Sequence, residues 1–243
     1  MNFTLYTKKA SGYECLGPST VAEATSFSNS CDLALWTAAR YKPPTDDKFL
    51  AEWRIKHTAV LNDLAFNLKN RFPSSELDLE LPLQSINLCG MKLFGTPDLI
   101  RKSPEGKIFI YDAKSGKKRD WHLVQIGLYA ILLQGAARAA GKKMPTIEGF
   151  GLYYSNGSKS YESLDDNPGY IAIEGDDALN KVLPDPIRQK IKNVLTIAGQ
   201  SNIPEAKPSS NNCRFCKFKD GCTEAYKGTN NELIDSSDLL LSK

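Results

Sequence analysis

The sequence contains little histidine or methionine and has no long apolar run. Of its 243 residues, two are histidine and three are methionine. No apolar stretch reaches the roughly 18 residues that a membrane-spanning helix needs. The first residues also lack the charged segment and long apolar segment of a secretion signal. We therefore expect a cytoplasmic protein that does not bind a membrane.

Neither sign of charge dominates the chain. The net charge of +3 permits binding to nucleic acid but does not require it. An apolar content of 41% and a charged content of 24% are typical of soluble globular proteins. The length suffices for one sizeable α/β domain.

The pattern of apolar residues predicts a helical first part, a strand-rich middle and a helical end. Apolar residues at helical spacing indicate helices, and alternating residues such as Leu77, Leu79 and Leu81 indicate a half-buried strand. The second predicted helix carries a stripe that includes Phe49, Trp53 and His57. The predicted helices are 19–40, 46–70, 120–140 and 177–199, and the predicted strands are 77–82, one or two within 86–102, 107–114, 147–155 and 169–174.

The consecutive strands over 77–114 predict an antiparallel meander, and the following helix and strand make the fold mixed α/β (α+β), with a central sheet flanked by helices. We expect one domain over residues 1–226. It would comprise a helical part at 19–72, a core at 77–200 and a cysteine-containing segment at 201–226. Residues 227–243 are expected to form a loosely ordered tail.

Two carboxylates and one ammonium group stand at the ends of short apolar runs. Asp112 and Lys114 are two positions apart on a predicted strand, so their side chains share a face. Asp98 follows Pro97 on the neighbouring strand and would add a second hard oxygen ligand for Mg²⁺ or Mn²⁺. Such a group can bind a divalent cation beside a phosphodiester.

The helices on either side of these strands add further polar candidates. Gln125 and Tyr129 are four residues apart, so they share the helix face that would look back towards Lys114. His57 lies in an otherwise apolar stripe, which is typical of a core histidine, although imidazole also suits a Mn²⁺ site. We expect His122, at the start of its helix, to face solvent or nucleic acid.

Three of the six cysteines follow the pattern Cys-x2-Cys-x5-Cys at Cys213, Cys216 and Cys222. Disulfides are not expected in a reducing cytosol. Three thiolates leave a tetrahedral zinc ion or a cubane iron–sulfur cluster one ligand short. Cys31 is the best candidate for the fourth ligand, with Cys15 and Cys89 as alternatives. Zinc fits the ligand chemistry as well as iron does.

Taken in chain order, these motifs resemble the RecB-like branch of the PD-(D/E)XK nuclease superfamily. They are most similar to the single-domain exonucleases whose relatives include the fourth CRISPR-associated protein family and the AddB nuclease domain. The resemblance covers roughly residues 20–225 and implies a restriction-endonuclease-like core. The motifs are Cys31, His57, Gly95-Thr96-Pro97-Asp98, Asp112-Ala113-Lys114, Gln125-x3-Tyr129 and Cys213-x2-Cys216-x5-Cys222.

The resemblance also implies roles for individual residues in the centre of the domain. The ligands of Mn²⁺ or Mg²⁺ would be His57, Asp98, Asp112 and the backbone carbonyl of Ala113. Lys114 would position or activate the hydrolytic water. Gln125 and Tyr129 match the family's Gln-x3-Tyr motif. Glu80 occupies a position where relatives often carry an acidic residue near the site.

For the cysteines, the resemblance implies a 4Fe–4S cluster that ties the N-terminal helix to the C-terminal tail. Its ligands would be Cys31, Cys213, Cys216 and Cys222. Closing so long a loop restricts the unfolded chain, which suits a structural role.

The expected function is therefore that of a metal-dependent DNA exonuclease acting on single strands or DNA ends. CRISPR adaptation, phage recombination and bacterial repair would use the same residues, so partners from these pathways and a homo-oligomer all stay open. Two alternatives are a non-catalytic DNA-binding adaptor that keeps only the iron–sulfur or zinc site, and a zinc-stabilised nuclease without iron.

Overall fold

The computed structural model describes residues 2, 5–9, 14–26, 31–43, 46–155, 164, 167–175, 177–214 and 216–226. The tail predicted at 227–243 lies outside these residues. The helices are α1 (Pro18–Ser26), α2 (Asp32–Arg40), α3 (Asp47–Arg71), α4 (Trp121–Ala139), α5 (Ala178–Val182), α6 (Asp185–Gly199) and α7 (Ser210–Arg214). The strands are β1 (Thr7–Lys8), β2 (Cys15–Leu16), β3 (Tyr41–Lys42), β4 (Glu76–Leu79), β5 (Leu83–Leu88), β6 (Met91–Gly95), β7 (Leu99–Lys102), β8 (Ile108–Lys114), β9 (Ile147–Tyr154) and β10 (Tyr170–Glu174).

A five-stranded mixed sheet forms the centre of the molecule, in the order β10-β9-β8-β7-β4. Its neighbours pair antiparallel except for β8 and β9, which are parallel. A parallel pair needs a long crossover connection, and α4 lies in the segment that joins these two strands. The prediction of a mixed α/β fold with a central sheet flanked by helices is confirmed.

The predicted meander is wrong in its middle part. The segment 83–95 forms a hairpin, β5–β6, which leaves the main sheet and pairs with β2 in a separate three-stranded sheet. Cys89 and Gly90 make its two-residue turn with positive φ angles of 52° and 79°, as a turn of this type requires. Of the strands predicted within 77–114, β4, β7 and β8 run side by side in the main sheet.

Helices cover the two faces of the main sheet and create two apolar layers. On one face, residues of α4 such as Val124, Ile126 and Leu128 pack with Ile110 and its neighbours. On the other face, the C-terminal half of α3 packs through Leu64 and Leu68 against a smaller cluster that includes Tyr111 and Ala113. Since alternate residues of β8 belong to different layers, the strand is buried on both sides.

Two predicted helices are interrupted. The helix predicted at 19–40 is two helices, α1 and α2, which end at Ser26 and begin at Asp32. The helix predicted at 177–199 is divided into α5 and α6 at Pro184, since proline disfavours helical backbone in the residue before it. The other two predicted helices agree closely with α3 and α4. None of the described helices is long and apolar enough to cross a membrane.

The half-buried strand predicted at 77–82 is largely exposed. β4 is the edge strand of the main sheet, so only Leu77 packs against the core, and Leu79 and Leu81 are both exposed. An alternating pattern predicts which residues share a face, but the burial of that face depends on the elements that cover it.

Candidate active site

The candidate site lies where β7 begins and β8 ends. The antiparallel register pairs Leu99 with Tyr111, so Asp98, one residue before β7, lies next to the end of β8. The Oδ2 atom of Asp98 accepts a hydrogen bond of 2.7 Å from the backbone N–H of Ala113. This contact holds the two carboxylate-bearing segments together and places Asp98 beside Asp112.

Asp112 is the buried member of the group, with 1% of its surface exposed. Its Oδ2 atom is ion-paired with Nζ of Lys114 at 2.6 Å, and no other hydrogen-bond partner of this oxygen is found among the described residues. Burial, followed by the nearby charge of Asp98, raises the pKa of Asp112 to about 7. A divalent cation would give this buried carboxylate a second positive partner beside Lys114.

Gln125 connects the ammonium and the buried carboxylate. Its Oε1 atom accepts a hydrogen bond of 3.0 Å from Lys114, and its Nε2 atom donates to Asp112 Oδ1 at 3.1 Å. The same amide donates to the hydroxyl of Tyr129 at 3.3 Å. Gln125 thus sets the relative positions of Lys114 and Asp112, while Tyr129 orients Gln125 from the next turn of α4.

Gly95 allows the ring of Tyr129 to come this close to β6. A Cβ atom at Gly95 would lie 2.9 Å from Cε1 of Tyr129 and 2.8 Å from Cδ of Pro18, both too short for real contacts. The glycine in the Gly95-Thr96-Pro97-Asp98 motif therefore has a packing role that its position in the sequence did not reveal.

His57 enters the site from α3. Its Nε2 atom is 3.5 Å from Asp98 Oδ1, and the hydrogen bond with Asp98 raises the pKa of the imidazole. The ring of Trp53 stacks on it, with centroids 4.9 Å apart and an angle of 9° between the planes. His57 is buried, as a core histidine would be, but it faces the carboxylates rather than apolar side chains.

The expectation that His122 faces solvent is wrong, because the side chain is buried. Its Nδ1 atom is 2.7 Å from the hydroxyl of Tyr154. Burial, together with the charges of Lys114 and Arg119, lowers its pKa to about 3, so the imidazole is neutral. His122 still lines the cavity described next, beside Gln125.

These residues share one cavity of about 710 Å³. Its lining combines carboxylates, cations and aromatic rings from α3, the start of β7, the end of β8 and the start of α4. Four carboxylates line it, Glu52, Glu80, Asp98 and Asp112, and so do four cations, Lys56, Lys114, Lys117 and Arg119.

Two aromatic residues of this cavity differ from their sequence interpretation. The stripe on the second predicted helix placed Phe49 and Trp53 in the core, but both are exposed and line the cavity. The charged residues on every side of them, such as Asp46 to Lys48 and Glu52, are the signal in the sequence that this part of the helix is solvated.

The side chains present suit a divalent cation. Among the residues that the structure describes, no three His, Cys, Asp or Glu side chains converge as they stand on one metal position. Asp98 instead faces His57 and Ala113, and Asp112 faces Lys114. Nevertheless, His57, Asp98 and Asp112 line one cavity, and carboxylate oxygens and an imidazole nitrogen are donors that suit Mn²⁺ or Mg²⁺.

The four cysteines singled out in the sequence line a second, small pocket between the start of α2 and the C-terminal segment. They are Cys31, Cys213, Cys216 and Cys222. Cys15, which is buried in β2, and Cys89, in the hairpin turn, do not belong to this lining. Burial raises the pKa of the Cys216 thiol. No metal-binding group of three such residues forms in the described part of the chain, so the pocket is a grouping of thiols and not a formed cluster.

Similarity to known proteins extends over most of the chain. The family model of the PD-(D/E)XK nuclease superfamily matches residues 18–223. A comparison with curated proteins found no match. Among solved structures, the crystal structure of SSO0001 is 14% identical to this chain, covers 90% of each chain and has a TM-score of 0.47.

Proposed function

Because the chain belongs to the PD-(D/E)XK nuclease superfamily, we propose that it is a metal-dependent DNA exonuclease that hydrolyses phosphodiester bonds of single strands or DNA ends. The observation that carries this proposal is that Asp112, a buried carboxylate ion-paired with Lys114 at 2.6 Å, lines the same cavity as a second carboxylate, Asp98. A purely structural ion pair would not need the second carboxylate, Asp98, beside it.

The metal ligands would be His57, Asp98, Asp112 and the carbonyl of Ala113. A divalent cation bound there supplies charge neutralisation at the phosphate and a lowered pKa for the attacking water. Lys114 would hold that water or the scissile phosphate through its ammonium group. Gln125 keeps the ammonium in place, since the amide bonds to both Lys114 and Asp112.

The second pocket would hold a 4Fe–4S cluster with a structural role. The support for this is that Cys31, Cys213, Cys216 and Cys222 line one pocket although they come from both ends of the chain. Zinc is the alternative occupant, since thiolates suit both. Iron, sulfide and zinc analysis of protein purified without oxygen distinguishes the two. Residues 1–226 would then form a single nuclease domain closed by this cluster.

Substitution of Lys114 by alanine tests the catalytic proposal. End-labelled single-stranded DNA is incubated with Mn²⁺, and we expect Lys114→Ala and Asp112→Ala to slow cleavage at least ~100-fold, because the first removes the ammonium that holds the water or phosphate and the second removes a ligand of the metal. Lys190→Ala is the matched control, since Lys190 is an exposed lysine on α6, outside the cavity.

Two results would count against the proposal. Cleavage by Lys114→Ala at the wild-type rate would remove the lysine from the mechanism. Binding of DNA without cleavage by the wild-type protein, with Mn²⁺ or Mg²⁺ present, would favour the non-catalytic adaptor. Shortening from one end is the exonuclease outcome, and trimming in CRISPR adaptation and resection in recombination and repair would both need it.

A further inference from the structure

The N-terminal half of α3 extends beyond the core. The buried residues of this helix begin at His57, and apart from partly covered Leu50 the described side chains from Asp46 to Lys56 are exposed. Two of them are large aromatics, Phe49 with 63% of its surface exposed and Trp53 with 45%. Exposed apolar rings next to a polar cavity are typical of a binding surface.

Phe49 and Trp53 are four residues apart and so share a helix face with His57. All three line the cavity that contains Asp98 and Asp112. Trp53 is held in place by its stacking on His57, and His57 in turn contacts Asp98. The aromatic face formed by Phe49 and Trp53 is therefore continuous with the carboxylate centre, which we define as Asp98 and Asp112 with Lys114 and Gln125. Trp53 contacts His57, and His57 contacts Asp98.

The charged side chains that line the cavity are balanced in number between the two signs. Four cations and four carboxylates line it, so its side chains carry little net positive charge. Lys117 and Arg119, in the connection between β8 and α4, can contact phosphates, but the attraction of an unbalanced basic groove is missing. The exposed rings can therefore add affinity for a nucleic acid beyond the contacts of these cations with phosphates.

We infer that Phe49 and Trp53 form a stacking subsite for unpaired bases of the substrate strand. This inference rests on the proposed nuclease function and adds to it the residues that select the substrate. An aromatic ring can stack on the face of an exposed base, and a base inside a duplex does not offer that face. The cations of the β8–α4 connection would meet the phosphates while the rings of α3 meet the bases.

Binding to short oligonucleotides without divalent cations tests the subsite independently of cleavage. The probes are a fluorescent thymidine strand of about 12 nucleotides, an abasic strand of the same length and a blunt duplex. Phe49→Ala and Trp53→Ala should each weaken binding of the thymidine strand by about 5- to 150-fold, the range for loss of one stacking contact. Binding of the abasic strand should not change.

The same helix offers matched controls. Ile55, 72% exposed, and Phe66, 64% exposed, are large apolar residues of α3 outside the cavity lining. Ile55→Ala and Phe66→Ala should bind the thymidine strand as the wild type does. Trp53→Phe keeps a ring above His57 and should recover most of the affinity that Trp53→Ala loses.

Several outcomes would overturn the subsite. They are equal weakening by Ile55→Ala, equal weakening with the abasic strand, unchanged binding by both aromatic variants, and wild-type preference for the duplex. An apolar partner protein on this face would give the third outcome. If cleavage depends on Lys114 while Phe49→Ala and Trp53→Ala bind normally, the proposed function stands and the subsite fails. If the aromatic variants weaken strand binding but the wild-type protein does not cut the strand, the subsite stands and the proposed function fails.

Discussion

The carboxylate centre draws its residues from neighbouring elements of the chain, whereas the cysteine pocket joins segments that lie far apart in sequence. Asp112 and Lys114 lie in β8 and Gln125 in α4, and these three contact one another, while Asp98, just before β7, accepts a hydrogen bond from the backbone of Ala113 in β8. Cys31 meets the C-terminal segment, where its Sγ accepts a hydrogen bond from the backbone N–H of Lys207, 176 residues away. The carboxylate centre is built on the main sheet, whereas the cysteine pocket depends on how the ends of the chain meet.

Protein contacts other than cysteine also hold those ends. The hydroxyl of Tyr6 donates to the carbonyl of Phe218 and accepts from the N–H of Gly221, at 2.7 and 2.6 Å. Arg40 donates to the carbonyls of Ala198 and Gln200, which ties α2 to the end of α6. The comparison shows that most of the candidate site rests on contacts between elements close in sequence, whereas contacts between residues far apart in sequence join the ends of the chain.

The largest effect on stability is expected from the cysteine pocket. Cys213→Ser should lose the bound iron or zinc and lower the melting temperature by ~10 °C, because a bound structural metal contributes several kcal/mol to folding. Metal content and thermal unfolding measure this. Cys89→Ser is the control, since Cys89 is exposed in a hairpin turn. An unchanged melting temperature in Cys213→Ser would show that the Tyr6 and Arg40 contacts suffice to close the chain.

A smaller effect is expected from Gly95→Ala, which disturbs the support of the carboxylate centre. The new Cβ would come within 3 Å of the Tyr129 and Pro18 side chains. Such overpacking costs about 1–3 kcal/mol, and displacement of Tyr129 should slow cleavage through Gln125. Chemical denaturation and cleavage rates are the measurements. Gly17→Ala, whose Cβ would meet only ordinary contacts, should leave both unchanged; equal losses in the two variants would contradict this explanation.

The smallest effect is a gain of stability from Asp112→Asn in the metal-free protein. The folded-state pKa of Asp112 is raised to about 7, so the stabilisation from its protonated form is present at low pH and is lost as the pH rises through about 7. Asparagine stays neutral, so in chelator at about pH 8 the variant should melt a few degrees above wild type, with no difference below about pH 4.

Added Mn²⁺ should reverse the order of the two melting temperatures, because only the wild type keeps a charged ligand at position 112. Asp120→Asn, which changes an exposed aspartate, serves as the control and should shift neither curve. A lower melting temperature of Asp112→Asn in chelator at alkaline pH would mean that the ion pair with Lys114 outweighs the cost of burying the carboxylate.

Parts of the site were predictable because they depend on short-range geometry. The spacing of Asp112 and Lys114 on a strand, and of Gln125 and Tyr129 on a helix, places each pair on one face wherever the element forms. Helix α3 was also predictable, but its apolar stripe taken alone did not show that its first half is exposed. The apolar stripe from Phe49 to Leu68 has the same period throughout the helix. Where its residues become exposed depends on where the main sheet that covers them ends.

The remaining differences arise from pairing and covering between distant segments. The hairpin β5–β6 has the strand pattern expected of a meander, yet it pairs with β2, a segment nearly 80 residues earlier. His122 precedes an apolar helix and becomes buried because Tyr154, at the end of β9, lies against it. A local sequence pattern does not indicate which distant segment, such as β2 or the end of β9, will lie against these residues.

The sequence by itself determined the mixed α/β composition, the long helices and the order of the carboxylate, lysine and cysteine motifs, because these depend on residue type and on periods of a few residues. The tertiary structure alone decided that Asp98 meets Ala113 and Asp112, that Gln125 bridges Lys114 to the buried carboxylate, and that both ends of the chain supply one cysteine pocket. It also left Phe49 and Trp53 uncovered beside the cavity. Those outcomes depend on sheet register and on which surfaces remain after packing, and both are properties of the whole chain.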